Sequence, residues 1–259
     1  PFTLSGLMNN TGYDIYVRDS CSATELSLWV GPITIQTLCG VYVAPVTENF
    51  DDTTWVPGLP GTNANNLINQ CWRRPSAANP NFGTYNTTTS SGNTGPATDA
   101  SGTGNFLYTE FSGVNTAFGE LSSPDIAIPA SFANPRVQFS YHMYGGGIDS
   151  LAVEVLSGGN ATWVGGIVGQ QQGAESDPWL DASFNLDAFV GDTVQIRFRG
   201  YSSFFTGDIA IDEFALIDEP CPKPGNLSAT ASTKNSVTLS WTTGGASNWQ
   251  IEYGPAGFT

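Results

Sequence analysis

The strongest pattern along the chain has a period of two. In Phe139-Ser140-Tyr141-His142-Met143-Tyr144, and again in Asp208-Ile209-Ala210-Ile211-Asp212-Glu213-Phe214, large residues alternate with polar or small ones. Successive side chains leave a strand on opposite faces, so this period predicts half-buried strands and not helices. In the first stretch Phe139, Tyr141 and Met143 share one face, and Ser140, His142 and Tyr144 share the other. The same reading predicts strands over 136–144, 150–156, 161–168, 179–185, 194–201 and 209–216, with Val153, Val155, Phe184, Ile196, Phe198, Ile211 and Phe214 in the core. No segment sustains a helical period, and 30 Gly with 16 Pro suit short strands joined by tight turns, so the expected fold class is all-β.

Between the strands lie loop-rich stretches over 57–70 and 75–104, punctuated by Pro57-Gly58, Pro60-Gly61, Asn79-Pro80 and Gly95-Pro96. A loop that long in a compact domain commonly serves as a binding or protective surface. A chain of 259 residues exceeds the usual single domain, which predicts two or three folding units, and 40% hydrophobic residues are enough to build their cores.

Charge narrows the set of partners. With 23 acidic residues against 8 basic ones the formal net charge is -15, which repels nucleic acid and anionic lipid surfaces. Divalent cations remain compatible, and so does plain solubility of an exported protein. No run approaches the length of apolar chain that a membrane helix needs. His142 is the only histidine, so neither a histidine-based triad nor a histidine metal cluster can form, and a packed or partly exposed structural role is expected for it. No nucleophile elbow, zinc-protease helix or phosphate-cradling loop is present, and Gly145-Gly146-Gly147 joins two strands. A non-enzymatic role is therefore expected. The four cysteines, Cys21, Cys39, Cys71 and Cys221, form no C-x-x-C pair and read as disulfide partners.

One ordered set of motifs carries a resemblance. Phe50-Asp51-Asp52, then Cys71-Trp72, the turn-rich run from Gly95 to Gly104 leading into Asn105-Phe106-Leu107-Tyr108, then Leu121-Ser122-Ser123-Pro124, are closed by the two alternating strands. Over residues 46–218 this set resembles the MAM domain, an extracellular recognition module with a two-sheet β jelly roll. The resemblance implies a calcium site built on Asp51, Asp99 and Asp212, since calcium takes six to eight oxygens from carboxylates and loop carbonyls. The competing reading makes Asp51 and Asp52 turn caps and Asp99 an Asx-turn. Animal MAM domains usually carry four cysteines, whereas residues 46–218 contain only Cys71, so the disulfide pattern and homophilic surfaces of that group do not carry over.

The ends resemble another family. Leu7 and Tyr13, with the strand running on through Arg18, look like the tyrosine corner of a Greek-key sandwich. Followed by Trp29 to Thr37, they resemble the last strands of a fibronectin type III domain. Leu227, Val237 to Trp241, and Trp249 to Gly254 resemble its first strands. Residues 1–39 and 219–259 thus read as complementary halves, with 40–45 as a linker. Two explanations stand side by side: the chain is one period of a head-to-tail repeat, or its boundaries fall arbitrarily between different modules. The fibronectin-like topology implies a Cys21–Cys221 bond between copies and a Cys39–Cys71 bond that clamps the linker. Alternating modules, only two lysines (Lys223 and Lys234) and abundant Asn and Thr resemble large surface proteins of Bacteroidota-type bacteria. In that group a short Asp-Ser/Thr motif carries O-glycans, which marks Thr53, Ser150 and Thr193. The implied function is a structural or adhesive repeat of an extracellular surface protein or filament, with neighbouring copies, surface proteins or glycans as partners. An accessory region of a secreted protease or glycosidase, or a carbohydrate-binding jelly roll, is the alternative.

Overall fold

The structure is a computed structural model and describes residues 2–58, 68–74, 80–89, 91–111, 117–219, 221, 223–243, 246–255 and 257. The turn signals at Pro60-Gly61 and Asn79 lie outside the described residues. The fold is all-β, as the period of two predicts. In chain order the strands are β1 (Gly12–Val17), β2 (Val30–Gln36), β3 (Tyr42–Val43), β4 (Val46–Glu48), β5 (Gly83–Tyr85), β6 (Phe106–Glu110), β7 (Ala117–Ser122) and β8 (Ile126–Ala127). They continue as β9 (Pro135–Tyr144), β10 (Ile148–Ser157), β11 (Asn160–Val168), β12 (Leu180–Asn185), β13 (Thr193–Ser202), β14 (Asp208–Asp218), β15 (Gly225–Ser232) and β16 (Val237–Thr242). Among the described residues the one helical element is a single 3-10 turn over Asp187–Phe189.

Two six-stranded sheets face each other. The first runs β11-β10-β13-β8-β3, with β7 also paired to β13; the second runs β12-β9-β14-β6-β5, with β4 also paired to β14. Tyr42–Val43, inside the stretch expected to link modules, is a parallel neighbour of β8, so that stretch is bound into the first sheet.

Strand β14 changes partner along its length. Asp208 to Ile211 pair with β6, and Phe214 to Leu216 pair with β4. Between them the register with β9 slips from Asp212 to Ala215, and Glu213 takes a left-handed φ of 49°. An inserted residue of this kind shifts the side-chain phase by one. Ile209 and Ile211 therefore face the core before the slip, and Phe214 and Leu216 face it afterwards.

Phe214 is central to the packing between the sheets. It lies edge-on to Trp72 at 5.2 Å and to Phe198 of β13 at 6.2 Å, while Phe198 meets Phe139 of β9 at 4.9 Å. Phe50 and Trp55 extend the cluster beyond Trp72. Of the expected core residues, Val153, Val155, Ile196, Phe198, Ile211 and Phe214 are fully buried. Phe184 is half-buried and packs against the core from the rim, in the space left by Gly165. On the outer face of the first sheet, charges pair across strands: Arg197 with Glu154 at 2.6 Å, and Arg199 with Glu120 at 2.6 Å.

The outer face of the second sheet is not left to water. Residues 91–105 and 169–179 lie across it, joined by bonds from Ala97 N–H to the Glu175 carbonyl (2.9 Å) and from Trp179 Nε1 to the Thr98 carbonyl (3.0 Å). Beneath them Tyr85, Phe106, Tyr108 and Ala210 form a second small core. His142 is buried in the same layer, beside Ala210 in the sheet register and 5.7 Å from the Trp179 ring. Its ring nitrogens sit near the backbone of Ala174 and Asp177 without hydrogen-bond geometry. Burial pushes its pKa down to about 4 against the opposing charge of Asp177, so the imidazole is neutral in the folded protein.

Both two-stranded ends are thin. β1 pairs with β2, and the Tyr13 hydroxyl accepts a bond from the Met8 backbone N–H at 2.9 Å. Val17, Val30 and Ile33 of this hairpin are exposed. β15 pairs with β16, leaving Leu227, Trp249 and Ile251 exposed around Trp241 in an open cleft of about 500 Å³.

Two outcomes are expected. Phe214→Ala should cost about 3–5 kcal/mol in denaturant melts, the usual range for emptying an aromatic core position; a loss near zero would show that the sheets do not pack through it. For His142 the unfolded chain binds a proton near 6.5 and the folded one only near 4, so stability is lost as pH falls through that window. His142→Leu should therefore lose a few degrees less of melting temperature than the parent between about pH 7 and about pH 5. Parallel pH profiles for the two would contradict a buried neutral imidazole.

Candidate functional site

Alternation with Ile209 and Ile211 places Asp212 on the outer face just before the β14 slip, 1% exposed, where the end of the chain's first jelly-roll strand and the long covering loop come together. Asp212 Oδ2 accepts the Ala100 N–H at 2.9 Å and Oδ1 accepts the Glu213 N–H at 2.7 Å. Burial pushes its pKa up to about 7 despite those two bonds, with the charges of Glu213 and Asp99 adding to the rise. Asp99 is also buried: its Oδ2 accepts the Ser101 hydroxyl at 2.5 Å, while Oδ1 has no hydrogen-bond partner among the described residues. Asp51 is exposed, and its Oδ1 accepts the Asn105 N–H at 2.6 Å. Asn105 also donates through Nδ2 to the Phe50 carbonyl at 2.8 Å.

Gly104 is where Asp51 and Asp99 meet. A Cβ there would collide with Asp51 Oδ1 and come within 2.8 Å of Asp99 Oδ2, so the absent side chain leaves room between two carboxylates. The three aspartates thus lie in one neighbourhood: Asp51 and Asp99 around Gly104, and Asp212 bonded to Ala100 in the same loop. Among the described residues no three His, Cys, Asp or Glu side chains stand close enough to hold a metal ion by themselves. An ion here would need loop carbonyls or water to complete its shell, which suits calcium better than zinc. Asp52 Oδ1 accepts bonds from the Thr54 N–H and hydroxyl, the turn-capping role open to it in the sequence.

Of the cysteines, Cys39 and Cys71 are joined in a disulfide, and Cys21 and Cys221 are exposed free thiols. Thr53 lies in an exposed turn and Thr193 is exposed at the start of β13, whereas Ser150 is half-buried in β10 with strands on both sides. A polar cleft of about 520 Å³ crosses the outer faces of β9, β12 and β14, lined by Arg136, Gln138, Ser140, Asp181, Ser183 and Glu219. Much of that lining is bonded to itself: Arg136 to Ser183 at 2.6 Å and to Glu219 at 3.2 Å, and Ser140 to Asp181 at 3.0 Å. No helix among the described residues is long and apolar enough to cross a membrane.

Sequence reasoning placed these carboxylates near the ends of the module and expected a packed or partly exposed His142, which is buried, but missed the burial of Asp208. Both sit at polar positions of an alternating strand, which by themselves predict solvent; the signal for burial was the long Gly-rich stretch before β6.

Comparison with known proteins agrees with this architecture. The family model described as "MAM domain, meprin/A5/mu" matches residues 63–222, more than half of the chain. MAM domain-containing glycosylphosphatidylinositol anchor protein 1 of Rattus norvegicus is 29% identical over 233 residues, covering 86% of this chain and 20% of that protein. MAM and fibronectin type III domain-containing protein 1 of Acropora millepora is 34% identical over 114 residues, 40% of this chain and 24% of that protein. The chain therefore spans about a fifth to a quarter of the length of these relatives. Among solved structures, a cleaved adhesin domain of Lys-gingipain from Porphyromonas gingivalis aligns at 16% identity and a TM-score of 0.45, covering 68% of this chain and 99% of that domain. With the family model, the jelly-roll sheets and the ordered motifs in agreement, this chain belongs to the MAM domain family.

Proposed function

We propose that the chain is a non-catalytic structural and adhesive unit of an extracellular multidomain surface protein, in which copies join head to tail. The observation that carries this reading is the pair of uncovered apolar hairpins on either side of a well-packed sandwich. Val17, Val30 and Ile33 are exposed at one, and Leu227, Trp249 and Ile251 at the other. An isolated two-stranded sheet is marginal in water, and its apolar face needs a cover. The complement is the opposite hairpin of a second copy: β1–β2 against β15–β16, together forming a fibronectin type III sandwich. The Tyr13–Met8 bond supports that reading of the first hairpin, and the printed name of the Acropora relative pairs the same two module types. The name of the rat relative, a glycosylphosphatidylinositol anchor protein, supports a cell-surface setting.

Joining two different faces leaves one of each free, so the arrangement propagates into a filament unless it closes as a ring. The exposed thiols of Cys21 and Cys221 then fall at the junction and bond between copies. The polar cleft around Arg136 and Asp181 is the surface offered to glycans or partner proteins, and Thr53 and Thr193 are the accessible positions for O-glycans. Asp99 Oδ1 and the gap at Gly104 fit a calcium ion shared with Asp51 and Asp212, which ties the covering loop to the sheet.

Two measurements test this reading. Under oxidising conditions the chain should form a ladder of head-to-tail oligomers that collapses with reductant, and Trp241→Asp should abolish association. A monomer at every concentration, with both hairpins protected from hydrogen exchange, would falsify the repeat. Chelation should lower the melting temperature by several degrees, and Asp212→Asn should remove most of that response. Identical melting with chelator and with calcium would rule out the ion at Asp212.

A further inference from the structure

Four residues before Asp212, on the same face of β14, a second carboxylate is buried. Asp208 is 1% exposed; Oδ1 accepts only a long bond of 3.5 Å from the Phe111 N–H, and Oδ2 has no hydrogen-bond partner among the described residues. The antiparallel register sets Glu110 of β6 directly across from it, a second negative group on the same side of the sheet. Like charges opposed in a buried site are unfavourable unless something of opposite sign joins them.

The covering loop brings hydroxyl and carbonyl oxygens to this point. Thr89 Oγ1 donates to the Thr94 carbonyl at 2.7 Å, and Thr94 Oγ1 donates to the Ser91 carbonyl at 2.7 Å. Both hydroxyls lie beside Asp208, and a hydroxyl that donates to a loop carbonyl keeps its lone pairs free for a cation. The Ser91 hydroxyl reaches both Glu110 oxygens at 3.3 Å. Gly95, whose φ is 61°, lets these oxygens close in on its backbone: a Cβ there would stand 2.5 Å from Thr89 Oγ1 and 3.1 Å from Asp208 Oδ2. The Gly95 N–H is itself spent on the Tyr144 carbonyl at 3.2 Å. The result is a convergence of carboxylate and hydroxyl oxygens beside Gly95.

We propose that Asp208 and Glu110, with Thr89 and Thr94, hold a hard divalent cation of the calcium class, separate from the ion proposed at Asp212. All the converging ligands are oxygen, and loop carbonyls stand within the same turn, which is the donor set such ions select. Asp208 and Asp212 are four residues apart on one strand, on the order of 13 Å, too far for one ion to serve both. Two ions would pin the covering loop at two points, near Gly95 and near Gly104.

The test counts calcium per chain by native mass spectrometry and reads terbium luminescence excited through the tyrosines, since Tyr108 and Tyr144 lie beside Asp208. The full chain should bind two ions, Asp208→Asn one, Asp212→Asn one and the double variant none, with tyrosine-excited terbium emission kept in Asp212→Asn and reduced tenfold or more in Asp208→Asn. If Asp208→Asn does not fold, Glu110→Gln and Thr94→Val give the same readout. An unchanged ion count in these variants overturns the site and leaves a shared proton as what joins the two carboxylates. One ion in the parent that is lost with Asp208→Asn and kept with Asp212→Asn supports this site and removes the other; the reverse pattern removes this one alone. A parent chain that binds no calcium removes both.

Discussion

The extra residue at Glu213 is the constraint from which the rest of the sandwich follows. A strand that alternated strictly would carry either Ile209 and Ile211, or Phe214 and Leu216, into the core, but not both pairs. By absorbing one residue in a left-handed conformation, β14 turns both pairs inward and exchanges β6 for β4 as its neighbour. Phe214 then reaches Trp72 and Phe198, and the two sheets share one aromatic cluster. The same slip positions Asp212 at the seam between the β6 and β4 partners, where both of its oxygens bind backbone N–H groups.

The second consequence concerns the outer face. A sheet of this kind commonly shows one face to water, but here the layer over β6, β14 and β9 buries His142, Asp208 and Asp212. Each pays a desolvation cost, and each departs from its ordinary pKa in the direction that cost dictates: the imidazole downward, the carboxyls upward. The covering loop is held mainly by hydrogen bonds to backbone and side-chain groups, with the Tyr85–Phe106–Tyr108 cluster as its apolar anchor. That composition makes the layer sensitive to charge, and the sandwich beneath it insensitive.

The period of two was enough to read β9 to β14, whose ends fall within two residues of the expected bounds. Ile211 and Phe214 were both expected in the core, a spacing of three that alternation alone cannot produce; the slip between them explains it. Strands β3 to β8 were missed: β3, β4, β5 and β8 because two or three residues carry no period, and β6 and β7 because Phe106–Glu110 and Ala117–Ser122 do not alternate between large and polar residues. The candidate site was legible only in part. Periodicity says which face a side chain takes, so Asp208, Asp212 and His142 could be assigned to the outer face from sequence. It does not say what covers that face, and the covering segments, 91–105 and 169–179, have no regular pattern from which a fold could be read. Glu110 opposite Asp208 depends on strand pairing between residues nearly a hundred positions apart.

The Cys39–Cys71 bond also decides how load would travel through the molecule. It spans 32 residues, and β3 and β4 lie within the segment it encloses. Tension entering from β2 passes at Cys39 straight to Cys71, so the enclosed segment, including Asp51, carries none of it. The first contacts downstream are the buried Trp72 ring, edge-on to Phe214 at 5.2 Å, and then the pair of 2.9 Å backbone bonds between Arg73 and Ser122 on the edge strand β7. Trp72 and those two bonds, and not the N-terminal strand of the sandwich, are what a pull on that end would load first.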